Sequence, residues 1–547
     1  MKATMMDLPL STQMILRHGS RLHGGSLVRS FDGERFETVL FEQVAQRVEA
    51  LAGGLAGLGV RRGDRVATYC WNHRQHLEAY LAVPAMGAVL HTLNIRLFPE
   101  QVAGIMAHAE DTVLIADSSL LPQLAPVLDR VPSLRHVIVV GGPMPASAGE
   151  ARVIGYEALV ASHGTRFDWP ELDERQAAVA CYTSGTTGEP KGIVYSHRSI
   201  FLHTLATLGH DTFGICQDDR ILLLPSMFHA NAWGLPFSAW FAGADLLLPG
   251  PHLKAMNIRQ MIREARPTFT ALVPTLANDL LQADLDDRVD MSSFRVIVSG
   301  GSAVSPALIG RIRERWGIPM LQGWGMTETS PMCCLSHPPR DARAEEEPAW
   351  RAKSGRPVPG MEVRLVDEAD ARLPEDGHTV GELQLRGPWV TGGYHQGASP
   401  SSFTADGWLR TGDVGTIDPR GYVQITDRSK DVIKSGGEWV SSVDLENQIS
   451  LHPSVFEVAV IGIPDPRWEE RPLVLVVPRP GHSVSAAELR EFLTNCVARF
   501  WLPEYFAFPA ELPKTSVGKL DKKELRRLHG EGRFEVVKLQ RAAEPAR

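Results

Sequence analysis

The chain has 547 residues, of which 44% are hydrophobic and 22% charged, and its formal net charge is -8. This length predicts more than one folding unit, and the composition is that of an ordinary globular protein with a sizeable core. The acidic balance argues against a nucleic-acid-binding protein, although an acidic chain can still hold a local basic site for an anionic substrate.

The N-terminal segment and the cysteines indicate where the protein works. MKATMMDLPLSTQMILRHG lacks the basic start and apolar core of a secretory signal, and no apolar run approaches the ~20 residues needed to cross a bilayer. No C-x-x-C spacing occurs, which argues against a zinc site or a disulfide framework. We expect a cytoplasmic protein with reduced thiols and no transmembrane segment, and peripheral contact with a membrane stays open.

The first third of the chain alternates helix-like and strand-like segments. The run LFEQVAQRVEALAGGLAGLGV, which ends at Val60, has the apolar spacing of an amphipathic helix. RGDRVATYC, TVLIAD and LRHVIVVGG have the composition of short buried strands, and the helical patterns HLEAYLAVPAMGAV and PEQVAGIMAHAE lie between the first two. This alternation predicts a largely parallel sheet covered on both faces.

The middle of the chain continues the pattern and then changes. RILLLPS, ADLLLPG, TFTALVP and FRVIVSGG are strand-like, and polar or glycine-rich residues follow them, where ligands bind in open parallel sheets. From Gly381, the segments GELQLRG, GWLRTGDVG and GYVQITDR predict a small antiparallel or barrel-like unit. The polar connector DRSKD, residues 427–431, precedes a compact α+β region of about 110 residues.

Residues 182–192, YTSGTTGEPKG, form the most informative segment. Glycines let backbone N–H groups turn toward an anion, hydroxyls add donors, and Lys191 adds a point charge suited to phosphate. Because Pro190 precedes the lysine and Gly192 follows it, the kinase or GTPase pattern G-x-x-x-x-G-K-[ST] does not fit. The segment predicts a polyphosphate-binding loop; the alternative is an ordinary flexible turn.

This segment resembles the signature of the adenylate-forming superfamily, which includes acyl-CoA synthetases, firefly-type luciferases and adenylation domains. Further motifs follow in that superfamily's order: PSMFHANAWG, GWGMTETSP, GELQLRG, RTGD, DRSKDVIKSGGE and PKTSVGK. The resemblance, from about Thr38 to about Leu528, implies two domains. A large α/β N-terminal domain, residues 1–428, would hold parallel sheets with flanking helices and a small β-barrel-like part. A small mobile α+β C-terminal domain, residues 429–547, would follow.

The resemblance also implies a site for ATP and Mg²⁺. Glu328 resembles the carboxylate that binds the metal, with Thr183 as a second oxygen ligand, and Thr327 resembles the hydroxyl at the α-phosphate. Trp324 stands where tyrosine is more usual, and we expect its indole to stack on adenine; the alternative is a core tryptophan. The other implied nucleotide-binding residues are Ser184, Gly185, Thr186, Thr187, Gly188, Lys191, Gly301, Ser302, Gly323, Gly325 and Met326.

Two more residues are implied at the nucleotide's sugar. Asp413 in RTGD resembles the carboxylate that holds the ribose hydroxyls, and Arg428 resembles its partner at the start of the connector. An aspartate that accepts two hydroxyl hydrogen bonds is a common way to hold a sugar. Without the other motifs, RTGD would be an ordinary turn.

The chemistry that the resemblance implies has two half-reactions. A carboxylate attacks the α-phosphate of ATP, and Lys519 in PKTSVGKL resembles the lysine that enters the site only for this step. The small domain of relatives then rotates, and Lys430 in DRSKD occupies the hinge position. The loop that faces the site while coenzyme A accepts the acyl group is implied to contain Lys434, Ser435, Gly436, Gly437, Glu438 and Trp439.

The segment PSMFHANAWG predicts the kind of acid. Amino-acid-activating relatives carry an aspartate in this region, whereas this stretch offers His229 and Trp233 and no acidic residue. Apolar and small residues suit an alkyl chain. The implied acyl-pocket residues are Phe228, His229, Trp233, Val298 and Gly300. His229 is also a catalytic candidate, with a structural histidine as the alternative.

The residues of these motifs most resemble those of bacterial medium- and long-chain fatty acyl-CoA synthetases, in which a tryptophan at the Trp233 position can gate the acyl tunnel. We expect a ligase for a medium-chain fatty acid that uses free coenzyme A. Open alternatives are a ligase for a methylthio-propionate-type or aryl acid, a loader of a carrier protein, a luciferase-like oxygenase, and a non-catalytic nucleotide-binding relative. Relatives are often homodimers, so we also expect a homodimer.

Overall fold

The computed structural model describes residues 1, 3–143, 151–183, 191–428, 433–435, 438–465, 468–494, 496–515 and 519–539. The side chains of Asp286, Arg428, Lys434, Glu438 and Trp439 lie outside this description. In the part of the chain it covers, no helix has both the length and the apolar character required to span a membrane. All six cysteines are free thiols, as the sequence predicts.

The first part of the chain forms a seven-stranded sheet with helices. In chain order the elements are α1 (Thr12–Leu22), β1 (Leu27–Phe31), β2 (Phe36–Leu40), α2 (Phe41–Gly57), β3 (Arg65–Tyr69), α3 (Arg74–Ala85), β4 (Val89–Thr92), α4 (Pro99–Ala109), β5 (Asp111–Asp117), α5 (Leu121–Leu124), β6 (His136–Val140), β7 (Arg152–Gly155), α6 (Tyr156–Ala161), β8 (Ala177–Tyr182), β9 (Gly192–Ser196) and α7 (His197–Leu208). The strand order is β7-β6-β5-β3-β4-β8-β9. These strands run parallel except for the antiparallel β8–β9 pair.

The next part forms a nine-stranded sheet that recruits β1 and β2. Its further elements are β10 (Arg220–Leu222), α8 (Leu235–Ala242), β11 (Asp245–Leu248), α9 (Ala255–Ala265), β12 (Phe269–Leu272), α10 (Pro274–Asp286), β13 (Val296–Ser299), α11 (Pro306–Trp316), β14 (Met320–Gly325), β15 (Met332–Leu335), α12 (Glu347–Ala352) and β16 (Arg356–Pro357). The order is β16-β15-β14-β13-β12-β10-β11-β1-β2, with parallel strands from β14 to β1 and antiparallel pairs at both edges.

Two smaller sheets complete the described chain. The antiparallel unit predicted from Gly381 onward is a four-stranded sheet of β17 (Glu362–Val366), β18 (Gly381–Arg386), β19 (Leu409–Ile417) and β20 (Val423–Arg428). The α+β region that follows holds β21 (Ile433–Ser435), β22 (Glu438–Val440), α13 (Ser442–Ser450), β23 (Val455–Asp465), β24 (Glu469–Pro478), α14 (Ala486–Leu493), β25 (Tyr505–Ala507), α15 (Lys522–Gly530) and β26 (Val537–Lys538).

Helix boundaries follow from residue types. Helix α11 starts after Ser305, whose hydroxyl accepts a hydrogen bond from the Leu308 N–H, and it stops at Gly317, whose φ is 73°. Ser485 caps α14 in the same way, and the Glu488 carboxylate accepts a hydrogen bond from the Ser485 N–H. A hydroxyl at the first position and a left-handed glycine after the last turn satisfy backbone groups that a helix leaves unpaired.

The strands of both large sheets are buried on two faces. Val66 of β3 and Val298 of β13 belong to one hydrophobic cluster with residues of α2 and α3, so this cluster lies between the sheets. Their neighbours Ala67 and Ile297 point the opposite way, into two further clusters. Two-sided burial explains the continuous apolar runs in the sequence and confirms the predicted parallel α/β architecture.

Candidate active site

The carboxyl ends of four adjacent parallel strands create one edge that brings the predicted residues together. The order β14-β13-β12-β10 places the residues after these strands side by side. His229 follows β10, Val273 follows β12, Gly300 and Gly301 follow β13, and Gly323 lies within β14. Open parallel sheets bind ligands at this edge.

Lys519 of the C-terminal region reaches this edge. A methyl group built on Gly301 would lie 3.1 Å from Cε and 3.9 Å from Nζ of Lys519. Burial, and then the positive charge of Lys519, lowers the pKa of His229 to about 4, so the imidazole is neutral at pH 7. Lys519 therefore lies beside Gly301 and close enough to His229 for its charge to lower the pKa of that imidazole, although it is far in sequence from both. The Thr515 N–H donates to the Lys519 carbonyl at 2.6 Å, and the Lys519 N–H donates to the Thr515 hydroxyl at 3.2 Å.

Trp324 and Asp413 form a buried pair. The indole Nε1 donates to Oδ2 of Asp413 at 2.9 Å, and the two residues are 7% and 4% exposed. The Thr411 hydroxyl accepts a hydrogen bond from the Asp413 N–H at 2.9 Å. Asp413 pairs with Arg428 across the β19–β20 ladder. The sequence identified both residues but not this bond, through which the unusual tryptophan holds the aspartate.

Glu328 is held by a loop that sequence reasoning missed. The Tyr394 hydroxyl donates to Oε1 of Glu328 at 2.8 Å, and the Thr391 N–H donates to the Glu328 carbonyl at 2.8 Å. The neighbouring Thr327 carbonyl accepts a hydrogen bond from the Tyr195 hydroxyl at 2.7 Å. The one signal in the sequence was a lone tyrosine after two glycines, which is too common a pattern to assign.

The two residues that flank the undescribed part of the predicted phosphate loop, Thr183 and Lys191, are hydrogen-bonded to each other. The Thr183 N–H donates to the Lys191 carbonyl at 3.0 Å, and the Lys191 N–H donates to the Thr183 hydroxyl at 3.3 Å. The Lys191 Nζ lies 4.9 Å from the centre of the Tyr394 ring. Predicted residues outside the described part of the chain are Ser184, Gly185, Thr186, Thr187, Gly188, Lys430, Gly436 and Gly437.

The acyl side of the site contains an unusual turn. Residues Ala230–Gly234 all have positive φ, from 43° at Ala230 to 77° at Gly234, although four of the five are not glycine. Trp233 projects from this turn, and a methyl group on Gly300 would lie 3.0 Å from its Cη2. Gly300 is therefore the residue that lets the indole approach the strand ends.

Five other predicted residues have different surroundings. Val298 is 1% exposed, and Phe228, 4% exposed, packs in a cluster with Leu93 and Leu114 of the first sheet. Ser435 is buried and accepts a hydrogen bond from Arg471 Nη1 at 3.0 Å. Ser302 is exposed, whereas Met326 is partly buried and packs against the central hydrophobic cluster. The roles predicted for these residues remain predictions.

Buried histidines beside the site give a testable dependence on pH. His203 contacts Gly234, and burial lowers its pKa to about 3; burial lowers the pKa of His76 to about 3 as well. Below pH 6.5, the ordinary pKa of histidine, these two side chains bind protons in the unfolded chain but not in the folded chain. We therefore expect stability to be complete above about pH 7 and to fall toward pH 4, by about 2 kcal/mol per histidine at pH 5.

The measurement is the urea midpoint between about pH 5 and pH 7. His203→Gln should show a shallower fall than the parent, because one proton-linked group is gone. His210→Gln removes a fully exposed histidine and serves as the control. Identical slopes for the parent and His203→Gln would contradict the assignment.

Family models and similar proteins match this chain over most of its length. The model described as AMP-binding enzyme matches residues 26–395, and the model of the AMP-binding enzyme C-terminal domain matches residues 444–519. A long-chain-fatty-acid–CoA ligase of Thermus thermophilus is 43% identical over 96% of both chains. A 3-methylmercaptopropionyl-CoA ligase of Ruegeria lacuscaerulensis is 39% identical over 96% of this chain and 98% of its own.

A solved structure has the same fold over the full length. It is an anthranilate CoA ligase in complex with anthranoyl-AMP, with a TM-score of 0.88 and 28% identity, and the match covers 97% of this chain and 100% of that one. The first family model covers Glu328, and the second covers Lys519.

Proposed function

We propose the following reaction for this chain, which belongs to the family of AMP-binding enzymes and is an AMP-forming acid–thiol ligase. In the first step a carboxylic acid and ATP give an acyl-adenylate and pyrophosphate. In the second, the thiol of coenzyme A takes the acyl group and AMP leaves. ATP and coenzyme A are thus substrates of the chain.

The observation that carries the proposal is the position of Lys519 at the strand-end edge. The lysine stands beside Gly301 and His229, in the same site as the Trp324–Asp413 pair. Two anions must meet in adenylation, and charge grows on the leaving pyrophosphate. A cation held in place beforehand is the main means to lower such a barrier. His229, being neutral, adds no competing charge.

Glu328 fits a magnesium ion. One carboxylate oxygen, Oε1, accepts the Tyr394 hydroxyl, and within the described chain no hydrogen bond reaches Oε2. Mg²⁺ usually takes one or two protein carboxylates together with phosphate oxygens and water. We therefore propose that Glu328 holds Mg²⁺ with ATP, with Thr183 as a neighbouring hydroxyl. When bound, the ion supplies charge neutralisation at the phosphates.

The second step needs the space that Lys519 occupies. We propose that the small domain rotates about Lys430 after adenylation, which removes the lysine and brings the loop of residues 434–439 to the site. Gly436 and Gly437 would let the pantetheine arm pass close to the backbone. Presence of both Lys519 and Glu328 disfavours a non-catalytic nucleotide-binding protein.

The substrate that we propose is a medium-chain fatty acid. The turn of residues 229–234 offers no acidic group for a substrate ammonium, and Trp233 and Gly300 build an apolar wall. The relatives named above act on a long-chain acid and on a short thioether acid at similar identity, so identity alone does not fix chain length. A short methylthio or aryl acid is the second candidate.

A panel of acids tests this proposal. Pyrophosphate release and coenzyme A consumption are measured with acids from acetate to palmitate, 3-methylthiopropionate, benzoate and amino acids. Each buried methylene contributes roughly 0.8 kcal/mol, so turnover should rise from acetate to about C6–C12. Best turnover with an amino acid or an aryl acid would overturn the fatty-acid substrate and leave adenylation intact. Pyrophosphate release without coenzyme A consumption would indicate another acceptor.

Replacement of Trp233 by alanine tests the acyl wall. If the indole limits the pocket, Trp233→Ala should shift the preference toward longer or bulkier acids and reduce discrimination, because steric exclusion is lost. If the indole only packs, the variant loses about 3–5 kcal/mol of stability and keeps its profile. The chain-length profile and the melting temperature are measured on the same protein.

Trp169→Ala is the matched control for this experiment. Trp169 is also partly buried, and its ring packs on Phe167 at 4.9 Å. It should lower the melting temperature without changing the profile. The same result for Trp233→Ala would show that Trp233 is a packing residue.

Two expectations about the whole protein belong to the proposal. We propose a homodimer, which light scattering of the purified protein would test. We also propose a cytoplasmic location, in keeping with six free thiols among the described residues.

A further inference from the structure

The loop between β18 and β19 grips Glu328 at two points. The Thr391 N–H holds its backbone carbonyl, and the Tyr394 hydroxyl holds Oε1, each at 2.8 Å. Glu328 itself is 7% exposed. A carboxylate fixed at both its backbone and one oxygen presents its other oxygen in a single direction.

The same tyrosine faces a cation. Lys191 Nζ lies 4.9 Å from the centre of the Tyr394 ring, a cation–π distance. In the described chain, no carboxylate lies within ion-pair distance of Lys191. Tyr394 thus contacts the anion Glu328 with its hydroxyl and the cation Lys191 with its ring.

Packing keeps the tyrosine in this position. Its ring lies 5.8 Å from that of Phe403.

We propose that Tyr394 is a positioning residue that aims Glu328, through its hydroxyl, and Lys191, through its ring, at separate parts of the magnesium–ATP complex. Loss of either contact would leave that charged side chain without a fixed direction, and its group on the ligand would be held less well. This inference rests on the proposed function, since it concerns the way in which that site takes up ATP.

The alternative is that Tyr394 only stabilises the loop. The two roles differ in their dependence on metal. A positioning hydroxyl acts through Glu328, so its loss should matter when Mg²⁺ is present and not when the metal is chelated. A loss of loop stability should weaken ATP binding equally in both conditions.

The experiment is calorimetric titration of the full-length protein with ATP, without acid, in Mg²⁺ and in EDTA. Tyr394→Phe should weaken binding about tenfold in Mg²⁺, the effect of one lost hydrogen bond to a charged group, and less than twofold in EDTA. Tyr394→Leu also removes the ring, so binding should weaken in EDTA as well. Tyr422→Phe is the matched control, since that hydroxyl donates to the His337 carbonyl at 2.7 Å, outside the site.

A double mutant separates action through Glu328 from independent action. In a Glu328→Gln background, Tyr394→Phe should have less than twofold further effect, because the partner carboxylate is already gone. Equal losses with and without Mg²⁺, full additivity with Glu328→Gln, or unchanged binding would each overturn the proposal. Failure of the proposed function would give a different result, because the parent protein would then bind ATP but release no pyrophosphate with any acid.

Discussion

Lys519→Ala is expected to slow adenylate formation by about 10²–10³-fold, the usual effect of removing one preorganised electrostatic group from a transition state. The lysine stands beside Gly301 and His229, where charge would develop on the phosphates. Thioester formation from a synthetic acyl-adenylate should be much less affected, since we propose that the lysine leaves the site before that step.

The two half-reactions are measured separately. Pyrophosphate exchange in the presence of acid reports the first, and coenzyme A consumption from acyl-adenylate reports the second. Lys514→Ala is the matched control, because this lysine lies in the same segment and pairs with Glu457 at 2.8 Å. Equal damage to both half-reactions by Lys519→Ala would contradict the assignment to adenylation.

Glu328→Gln is expected to reduce turnover by about 10²-fold and to raise the magnesium concentration at half-maximal rate. The amide keeps the size of the side chain and an oxygen that accepts the Tyr394 hydroxyl, so the fold should persist. It lacks the charge that a hard cation requires. Pyrophosphate exchange is measured over a magnesium titration, with the melting temperature of each protein.

Glu362→Gln provides the control for this change. Glu362 is exposed and pairs with Arg386 at 2.7 Å on the four-stranded sheet. Its variant should match the parent in rate and in magnesium dependence. If Glu328→Gln also matched the parent in both, the metal would have to be held elsewhere.

The sequence predicts the large-scale fold because the fold depends on local patterns. Apolar runs between helices identify the parallel strands, and residues directly after them, such as Gly300 and Gly301, fall on the edge where open parallel sheets bind ligands. Lys519 was identified from its motif. Its actual position beside Gly301 required the packing of one domain on the other, which no local pattern contains.

The parts that the sequence does not predict depend on contacts between distant residues. Tyr394 and Glu328 are 66 residues apart, and Trp324 and Asp413 are 89 apart. A single hydrogen bond over such a separation leaves no periodicity. The turn of Ala230–Gly234 was also missed, because Ala and Trp give no signal for left-handed backbone and a single Asn gives only a weak one.

That turn has a consequence for how this enzyme can acquire new substrates. Left-handed backbone disfavours each L-residue by roughly 1–2 kcal/mol, so the neighbours must impose it. Two helices outside the turn supply such contacts: the Tyr80 hydroxyl of α3 donates to the Met227 carbonyl, and His203 of α7 packs against Gly234. The shape of the acyl wall that we propose therefore depends on α3 and α7 as well as on the turn itself. Selection for a different acid can therefore act on the residues of the turn and on the supporting residues of α3 and α7. Laboratory evolution confined to the residues that line the pocket would omit the second set.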